Sequence, residues 1–191
     1  LRDGKPGAGM LAMLSGALTP IEDALAALRF QALQRAPSHQ ITVVEIDVPS
    51  LRAAGRWPWG RDRFATAIGN LQAAGAKVVA FDVDFSANST ATTDKALADA
   101  IAARPGSVIL PTFVQPVRRA DGRTSLVETS PLRGLSTEAL LASVNIPIDP
   151  DGRVRRYTYG FGADETYRPS MGASLAQTPQ QRRDSFLIDY A

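Results

Sequence analysis

The sequence contains no cysteine among its 191 residues. Without a thiol, the protein cannot form a disulfide, use a cysteine nucleophile or bind zinc through thiolates. This absence is compatible with the bacterial periplasm and with the cytosol alike. Cysteine usage therefore excludes several kinds of chemistry without assigning a compartment.

An excess of charge of either sign is also missing. The chain has 21 basic and 19 acidic side chains and a net charge of +2, which gives no general reason to expect nucleic acid as a partner. The arginine pairs at 118–119, 155–156 and 182–183 are scattered, with no aromatic platform between them. We interpret them as parts of a solvated surface.

Catalytic and cofactor-binding motifs are sparse. The only histidine, His39, precedes the first predicted strand and so lies at its amino end. Open α/β sheets bind ligands at the carboxyl ends of their strands, so we do not expect His39 to act as a general base. The chain has neither a Gly-x-Ser-x-Gly elbow nor a Walker loop, and the glycines of residues 4–9 follow no strand. We therefore expect no enzymatic activity, no metal and no cofactor.

Long hydrophobic runs are missing as well. The longest apolar stretch, GMLAMLSGAL, is shorter than the roughly 18–20 residues that a helix needs to cross a bilayer. The first residues do not have the charged and apolar pattern of a cleavable signal sequence, so we expect none within residues 1–18. Because the chain begins with Leu1 and not with methionine, we expect it to be a piece of a longer protein.

The sequence does contain a well-marked leading helix. Residues 1–18 are glycine-rich and are predicted to be a loosely ordered lead-in, whereas residues 19–191 are predicted to form a single domain. Thr19 as N-cap and Pro20 at the first helical position predict a helix over 19–35. Its apolar stripe has helical spacing and consists of Ile21, Leu25, Leu28 and Ala32.

The next part of the chain, residues 41–114, alternates between strands and helices. Runs rich in β-branched residues predict strands at 41–48, 77–85 and 107–114. Apolar stripes of helical spacing predict helices at 61–74 and from Thr93 or Asp94 to Ala103. This order is typical of a parallel βαβαβ core with right-handed crossovers.

The remaining half, residues 115–191, has a different pattern. Residues 115–135 are polar and rich in turn formers, and 136–142 are predicted to form a short helix. Alternation on both sides of a Pro-Asp-Gly turn predicts an antiparallel hairpin over 143–161. A helix at 169–176 and a strand at 186–190 follow. The predicted fold class is therefore α/β, with a mixed sheet and a leading N-terminal helix.

A candidate ligand site lies where the first two strands end, because open α/β sheets bind ligands at the carboxyl ends of their strands. Asp47, Asp82 and Asp84 lie at these ends, and Asp82 and Asp84 should point to the same face. The three carboxylates could bind Mg²⁺ or Ca²⁺, pair with Arg56 or Arg61, or cap helices. Pairing within the structure is the favoured interpretation.

The loop after the first strand, GRWPWGRDRF, contains both tryptophans of the chain. Trp57 and Trp59 flank Pro58, which restricts the backbone, so the loop is predicted to be a rigid apolar cap on the sheet and one wall of a pocket. Arg61 would begin a helix at the end where a positive charge is unfavourable. We therefore expect an acidic partner for it, Asp47 or Asp82.

Several segments of the sequence resemble those of a known family. EIDVPSL followed by GRWPWGRDRFATAIGNLQAAGAKVVAFDVDF is similar to the start of the second-type CHASE domain. SVNIPIDPDGRVRRYTYGF, YRPSMGASLA and the closing FLIDY resemble the second half of that family, and the helix at 19–35 resembles its leading helix. The resemblance covers about residues 19–190.

The resemblance implies a role as an extracytoplasmic sensor. Domains of this type belong to bacterial adenylate cyclases, histidine kinases, diguanylate cyclases and serine/threonine kinases, and lie on the periplasmic side of the inner membrane between transmembrane helices. The expected signal is a small molecule or a protein, and dimerisation through the leading helices is expected. The helix at 19–35 and the strand at 186–190 would transmit the conformational signal.

The expected ligand pocket combines the strand ends, the tryptophan loop and one residue of the second half. Its residues are Asp47, Arg56, Trp57, Trp59, Arg61, Asp82, Asp84 and Asn145. One alternative is a soluble α/β hydrolase that uses the strand-end aspartates with a bound metal. Another is a structural or protein-binding domain without a small-molecule pocket.

Overall fold

The computed structural model describes Ile21, Ala24, Leu25, Leu28, Ala36 and residues 38–163, 166–178 and 184–188. The chain divides into one unit of Leu1–Glu45 with Ile188–Ala191 and a second unit of Ile46–Leu187. In the first unit the four described residues between 21 and 28 are helical, in agreement with the predicted leading helix. The predicted lead-in of residues 1–18 lies outside the described residues. Within the described part of the chain, no helix is both long enough and apolar enough to cross a membrane.

The second unit contains five helices and eight strands among its described residues. The helices are α1 (Val48–Ala54), α2 (Arg61–Ala73), α3 (Ala91–Ala102), α4 (Arg133–Ser136) and α5 (Met171–Leu175). The strands are β1 (Val79–Ala80), β2 (Val108–Arg118), β3 (Thr124–Thr129), β4 (Leu140–Ser143), β5 (Arg156–Thr158), β6 (Gly160–Ala163), β7 (Thr166–Pro169) and β8 (Ser185–Leu187).

The long strand β2 organises the main sheet. Its first residues pair in parallel with β1 and with β4, in the registers Val79↔Val108 and Ile109↔Leu140. Its last six residues pair antiparallel with β3. Two further antiparallel pairs, β5 with β8 and β6 with β7, form separate two-stranded sheets. The predicted fold class, α/β with a mixed sheet, is confirmed.

The core lies between α2, α3 and the first residues of β2. The apolar stripes predicted for the two helices supply its centre, with Phe64 and Ile68 from α2 and Leu97 and Ile101 from α3 all buried. Helix α3 begins a turn earlier than predicted, because the Thr90 hydroxyl accepts a hydrogen bond from Thr93 N–H and so caps it. Val79, Phe85, Val108, Leu110 and Leu135 complete the buried cluster.

The strand predicted over 41–48 is wrong. Residues 41–47 have no regular structure and are exposed, and Val48 begins helix α1. Asp47 is the N-cap of that helix and Pro49 lies in its first turn, a combination that favours a helix start. β-branched residues form a strand only where a neighbour offers a ladder, and residues 41–47 have no such partner in the described part of the chain. Among the described residues, the strands that pair in parallel are therefore β1, β2 and β4.

The helix predicted over 136–142 is also wrong. Helix α4 ends at Ser136, and Leu140–Ser143 form strand β4 beside β2. Residues 115–135 prove to contain a second missed element, because β2 continues to Arg118 and pairs with β3. In both places the ladder with β2 outweighs local preference, since hydrogen-bonded pairing and burial exceed the small differences in helix propensity.

The hairpin predicted around the Pro-Asp-Gly turn is only half correct. The turn forms, with Gly152 N–H donating to Asp149 O and Asp149 N–H donating to Arg153 O, both at 2.8 Å, but no paired strands extend from it on both sides. Instead β5 pairs with β8, and the antiparallel hairpin of this half is β6–β7. The predicted helix at 169–176 is confirmed as α5. The predicted last strand at 186–190 is confirmed in its first two residues, which belong to β8, whereas Ile188 is not in a strand and residues 189–190 lie outside the described part.

Arg155, which was predicted to be solvated, forms ion pairs within this turn. The Arg155 guanidinium donates to the Asp149 carboxylate at 2.9 Å and to both carboxylate oxygens of Asp151 at 2.9 and 2.6 Å. Its side chain is 13% exposed. Hydrogen bonding from Arg155 is the main reason that the pKa of Asp151 falls from 3.8 to about 2.

Candidate functional site

The tryptophan loop packs on an aromatic cluster of the core. The ring centroids of Trp57 and Trp59 are 5.7 Å apart, and Trp57 contacts Phe64 edge to face at 6.2 Å. Phe64 in turn contacts Phe81 at 5.9 Å and Phe85 at 5.3 Å, both edge to face. This is the preferred geometry of aromatic pairs, so the loop caps the core with favourable ring contacts.

The two tryptophans differ in how much surface they leave free. Trp59 is half-buried, its indole Nε1–H donates to Gly55 O at 2.9 Å, and the Arg63 guanidinium lies 5.6 Å from its ring centroid. Gly55 has φ 88°, a conformation that favours glycine, and it directs the chain from α1 into the loop. Trp57 remains 44% exposed. Of the pair, Trp57 is thus the ring that presents a large apolar surface to solvent.

Arg61 lies at the first position of α2 and is almost completely buried, with 5% exposure. Its guanidinium donates to Asp94 Oδ1 at 2.7 Å, to Phe85 O at 3.1 Å and to Ala87 O. It also lies 5.6 Å from the centroid of the Phe85 ring. The expected acidic partner, Asp47 or Asp82, is therefore wrong, because Asp94 in the first turn of α3 occupies that place.

This network connects three segments that are distant in sequence. Arg61 follows the tryptophan loop directly, Phe85 and Ala87 end the segment after β1, and Asp94 belongs to α3. A buried charge is tolerated only when it is paired and hydrogen-bonded. Asp94 and the carbonyl oxygens of Phe85 and Ala87 are these partners for the Arg61 guanidinium at the start of α2. Any displacement of the start of α2 must consequently disturb the start of α3.

The strand-end aspartates do not converge with the tryptophans. Phe81, Val83 and Phe85 pack towards the core, whereas Asp82 and Asp84, which alternate with them, are exposed. The two carboxylates thus share a face, as predicted, but it is the face opposite the aromatic cluster. Asp84 accepts from Ser86 N–H at 2.8 Å, and within the described residues Asp82 makes no hydrogen bond or ion pair.

Asp47 has a local structural partner. Its carboxylate accepts from the Ser50 hydroxyl at 2.6 Å and from Ser50 N–H at 2.8 Å. These bonds, the hydroxyl first, hold the pKa of Asp47 below its ordinary value of 3.8. Arg56 is exposed and has no ion pair in the described part of the chain. Across the described residues, no group of three acidic or histidine side chains could hold a metal ion.

Asn145 binds the backbone of β2. Its side-chain Oδ1 accepts from Val114 N–H at 2.7 Å and its Nδ2–H donates to Val114 O at 2.8 Å. The Ser143 hydroxyl donates to the same Oδ1 at 3.0 Å. The side-chain amide of Asn145 thus pairs with the backbone of β2 in the way that another strand residue would. It can do so because it has both a hydrogen-bond donor and an acceptor. The structure groups Asn145 with β2 and β4, and none of its hydrogen bonds involves the tryptophan loop.

A surface cleft that the sequence did not reveal lies beside the Arg61 network. It has a volume of about 380 Å³ and is lined on one side by Asp94, Lys95 and Ala98 of α3, with Asn88 nearby. Residues 132–135 form the other wall. The two walls are more than thirty residues apart in the sequence and belong to no recognisable motif, so only the packing of α3 against α4 brings them together.

Comparison with known proteins identifies the family. Residues 7–189 match the family model of the CHASE2 domain, which is nearly the whole chain. No curated protein and no solved structure matches significantly. The chain therefore belongs to the CHASE2 domain family, whose members are extracytoplasmic sensor domains, and the predicted resemblance is confirmed.

Proposed function

We propose that this CHASE2 domain is the ligand-sensing input of a membrane-bound bacterial signalling protein. In this proposal the domain lies on the periplasmic side of the inner membrane, held by flanking transmembrane helices. Its ends transmit a conformational signal to a cyclase, diguanylate cyclase or kinase inside the cell. The observation that carries the proposal is the family match over residues 7–189.

The Arg61 network supplies a physical route for such a signal. A sensor must bias an equilibrium between two packings, and a coupling of about 1–3 kcal/mol between sites is typical. Arg61 ties the tryptophan loop to α3 through one buried guanidinium. A ligand that favours one arrangement of this network would shift the packing of both helices, because the Arg61–Asp94 ion pair links them.

Two copies of the chain are proposed to pair through the leading helix. Ile21, Leu25 and Leu28 are 59%, 61% and 61% exposed, although all three are large and apolar. Their spacing of four and then three residues is that of a coiled-coil seam, which a second helix of the same kind would cover. Pairing would also fit effectors that work as dimers.

Sedimentation equilibrium tests this pairing. Leu25→Asp places a charge in the exposed stripe, and we expect it to convert a dimer into a monomer at micromolar concentration. Leu25→Ile keeps the apolar surface at the same position and should leave the dimer intact. A wild-type chain that is monomeric at all concentrations, or a Leu25→Asp variant that still dimerises, contradicts pairing through this helix.

The output of the complete protein tests the sensory role. In membranes that contain the full-length protein, Arg61→Lys should change the basal effector activity, because lysine cannot donate to Asp94, Phe85 and Ala87 in the same fork geometry. Arg63→Lys is the matched control at an exposed position two residues later. An encoding gene without flanking membrane spans and without an effector domain would overturn the proposal.

A further inference from the structure

The cleft between α3 and residues 132–135 has the size of a small-ligand site. Its volume of about 380 Å³ is at the lower end of the range of about 300–1,000 Å³ that is usual for small-molecule sites. It lies within the second unit, where α3 and α4 pack against each other. A ligand of a few carbon atoms with one polar group matches this space.

The charges around the cleft favour an anion. The Arg133 side chain makes no hydrogen bond or ion pair with the described residues. Lys95 pairs with Asp99 at 2.6 Å, but both side chains are well exposed, at 74% and 64%, so the pair costs little to break. The negative charge of Asp94 is already neutralised by Arg61 at 2.7 Å. Two cations therefore remain available to a ligand.

Apart from the polar Asn88, the rest of the lining is apolar or lacks a side chain. Ala98, Leu132 and Leu135 border the cleft, and Leu135 belongs to the buried core. Gly134 also lines it, and a Cβ added there would meet no atom within 4 Å. Apolar surface beside two cations suits a molecule with a hydrocarbon body and an anionic head.

We infer that this cleft binds a small organic carboxylate with an apolar body, the head on Arg133 and Lys95 and the body against Ala98, Leu132 and Leu135. Asp94 lines the cleft and also accepts a hydrogen bond from Arg61. A ligand in the cleft would therefore change the hydrogen bonds of Arg61 at the start of α2. The inference rests on the proposed sensory function and names the class of signal that it would detect.

The test is a titration of the ¹⁵N-labelled chain with hexanoate, followed by amide NMR. We expect saturable shifts confined to residues 88–98 and 132–135 and to the Arg61 network. Arg133→Gln should weaken hexanoate binding roughly tenfold or more, since a charge-assisted hydrogen bond is lost. Arg123→Gln, which changes another exposed arginine, should leave it unaltered. The spectra of both variants also report whether they remain folded.

A second variant and two other probes sharpen the result. Gly134→Leu adds a large side chain to the lining of the cleft without a positive φ to strain it, and it should weaken hexanoate binding. Hexylamine, which has the same body and the opposite charge, should not bind. Binding of inorganic phosphate as tight as that of hexanoate would overturn the apolar part of the inference. No hexanoate shifts, or equal binding by Arg133→Gln, would overturn it completely.

The outcome separates this inference from the sensory function. If hexanoate binds in the cleft but leaves the output of the full-length protein in membranes unchanged, the site stands and the sensory proposal fails for it. If the output responds to Arg61→Lys while hexanoate does not bind, the sensory proposal stands and the carboxylate site is wrong.

Discussion

The two halves of the second unit are held together by different physical means. From α2 to the start of β2, the contacts are apolar and aromatic, with one buried arginine at their edge. From the end of β2 to β8, side chains with paired donors and acceptors join short strands that bury little apolar surface. The first half therefore depends on packing in the core, whereas the second combines individual polar contacts with the ring contacts of Phe186 with Tyr157 and Tyr159.

The polar contacts of the second half bridge elements that are distant in sequence. Asn145 binds Val114, the Arg168 guanidinium lies 2.7 Å from the Glu128 carboxylate, and the Tyr157 hydroxyl accepts from Gly172 N–H at 2.8 Å. Removing one such contact should loosen a local region, whereas removing the arginine of the first half should affect the whole core.

The largest expected effect is that of Arg61→Met. It leaves the Asp94 carboxylate, 22% exposed, without its partner and Phe85 O without its donor. Breaking a buried ion pair in this way typically costs about 3–5 kcal/mol of unfolding free energy, to be measured by urea denaturation. Arg63→Met removes only an exposed cation above Trp59 and should cost about 0.5–1 kcal/mol. Equal losses in both variants would show that the buried ion pair of Arg61 does not stabilise the first half more than an exposed cation does.

The next effect is that of Asn145→Ala in the second half. The substitution leaves Val114 N–H and Val114 O without partners in a half-buried strand, which should cost about 2 kcal/mol. Amide exchange at Val114 should accelerate in the same variant. Asn70→Ala, at an exposed position of α2, is the control and should change stability by less than about 0.5 kcal/mol. Unchanged exchange at Val114 would show that Asn145 does not hold the strand.

A smaller effect is expected for the pair between β3 and β7. Arg168 is 29% exposed and Glu128 14%, so solvent screens their attraction in part. Arg168→Gln should lower the unfolding free energy by about 1 kcal/mol. A double-mutant cycle with Glu128→Gln measures the coupling directly, and the double variant should lose less than the sum of the two single losses. Strict additivity would mean that the pair contributes nothing.

The smallest effect concerns pH. The folded pKa of Asp151 is about 2, below its ordinary 3.8, so its contribution is complete above pH 3.8 and is lost as the pH falls through about 2. The ¹³C shift of its carboxyl group should titrate with a midpoint near 2. In Arg155→Gln the midpoint should move towards 3.8, because the main cause of the shift is gone. A wild-type midpoint near 3.8 would show that Arg155 does not hold the turn.

The same contrast explains which elements could be predicted. The stripes of Phe64 with Ile68 and of Leu97 with Ile101 follow helical periodicity, and the helices formed where they were expected. Strand β4 could not be predicted, because Leu140–Ser143 become a strand only through their ladder with β2. The run at 41–48 shows the converse, since its β-branched residues have strand propensity but no ladder in the described part of the chain.

The candidate site was predictable to a similar extent. The cap formed by Trp57 and Trp59 follows from their size and from Pro58, and the need of Arg61 for an acidic partner follows from its place at a helix start. The identity of that partner, Asp94, did not follow, because the crossing of α2 and α3 sets it. The cleft left no signal in the sequence, since its two walls become neighbours only on folding.

By itself the sequence determined the family, the fold class, the two core helices and the absence of thiol chemistry, because these depend on residue types and on spacing along the chain. Only the tertiary structure decided the partner of Arg61, the separation of Asp82 and Asp84 from the tryptophans, the strand at Leu140–Ser143 and the cleft beside α3. Periodicity specifies which face of an element is apolar. Ladders, ion pairs and clefts depend on which faces meet, and that is settled by long-range packing.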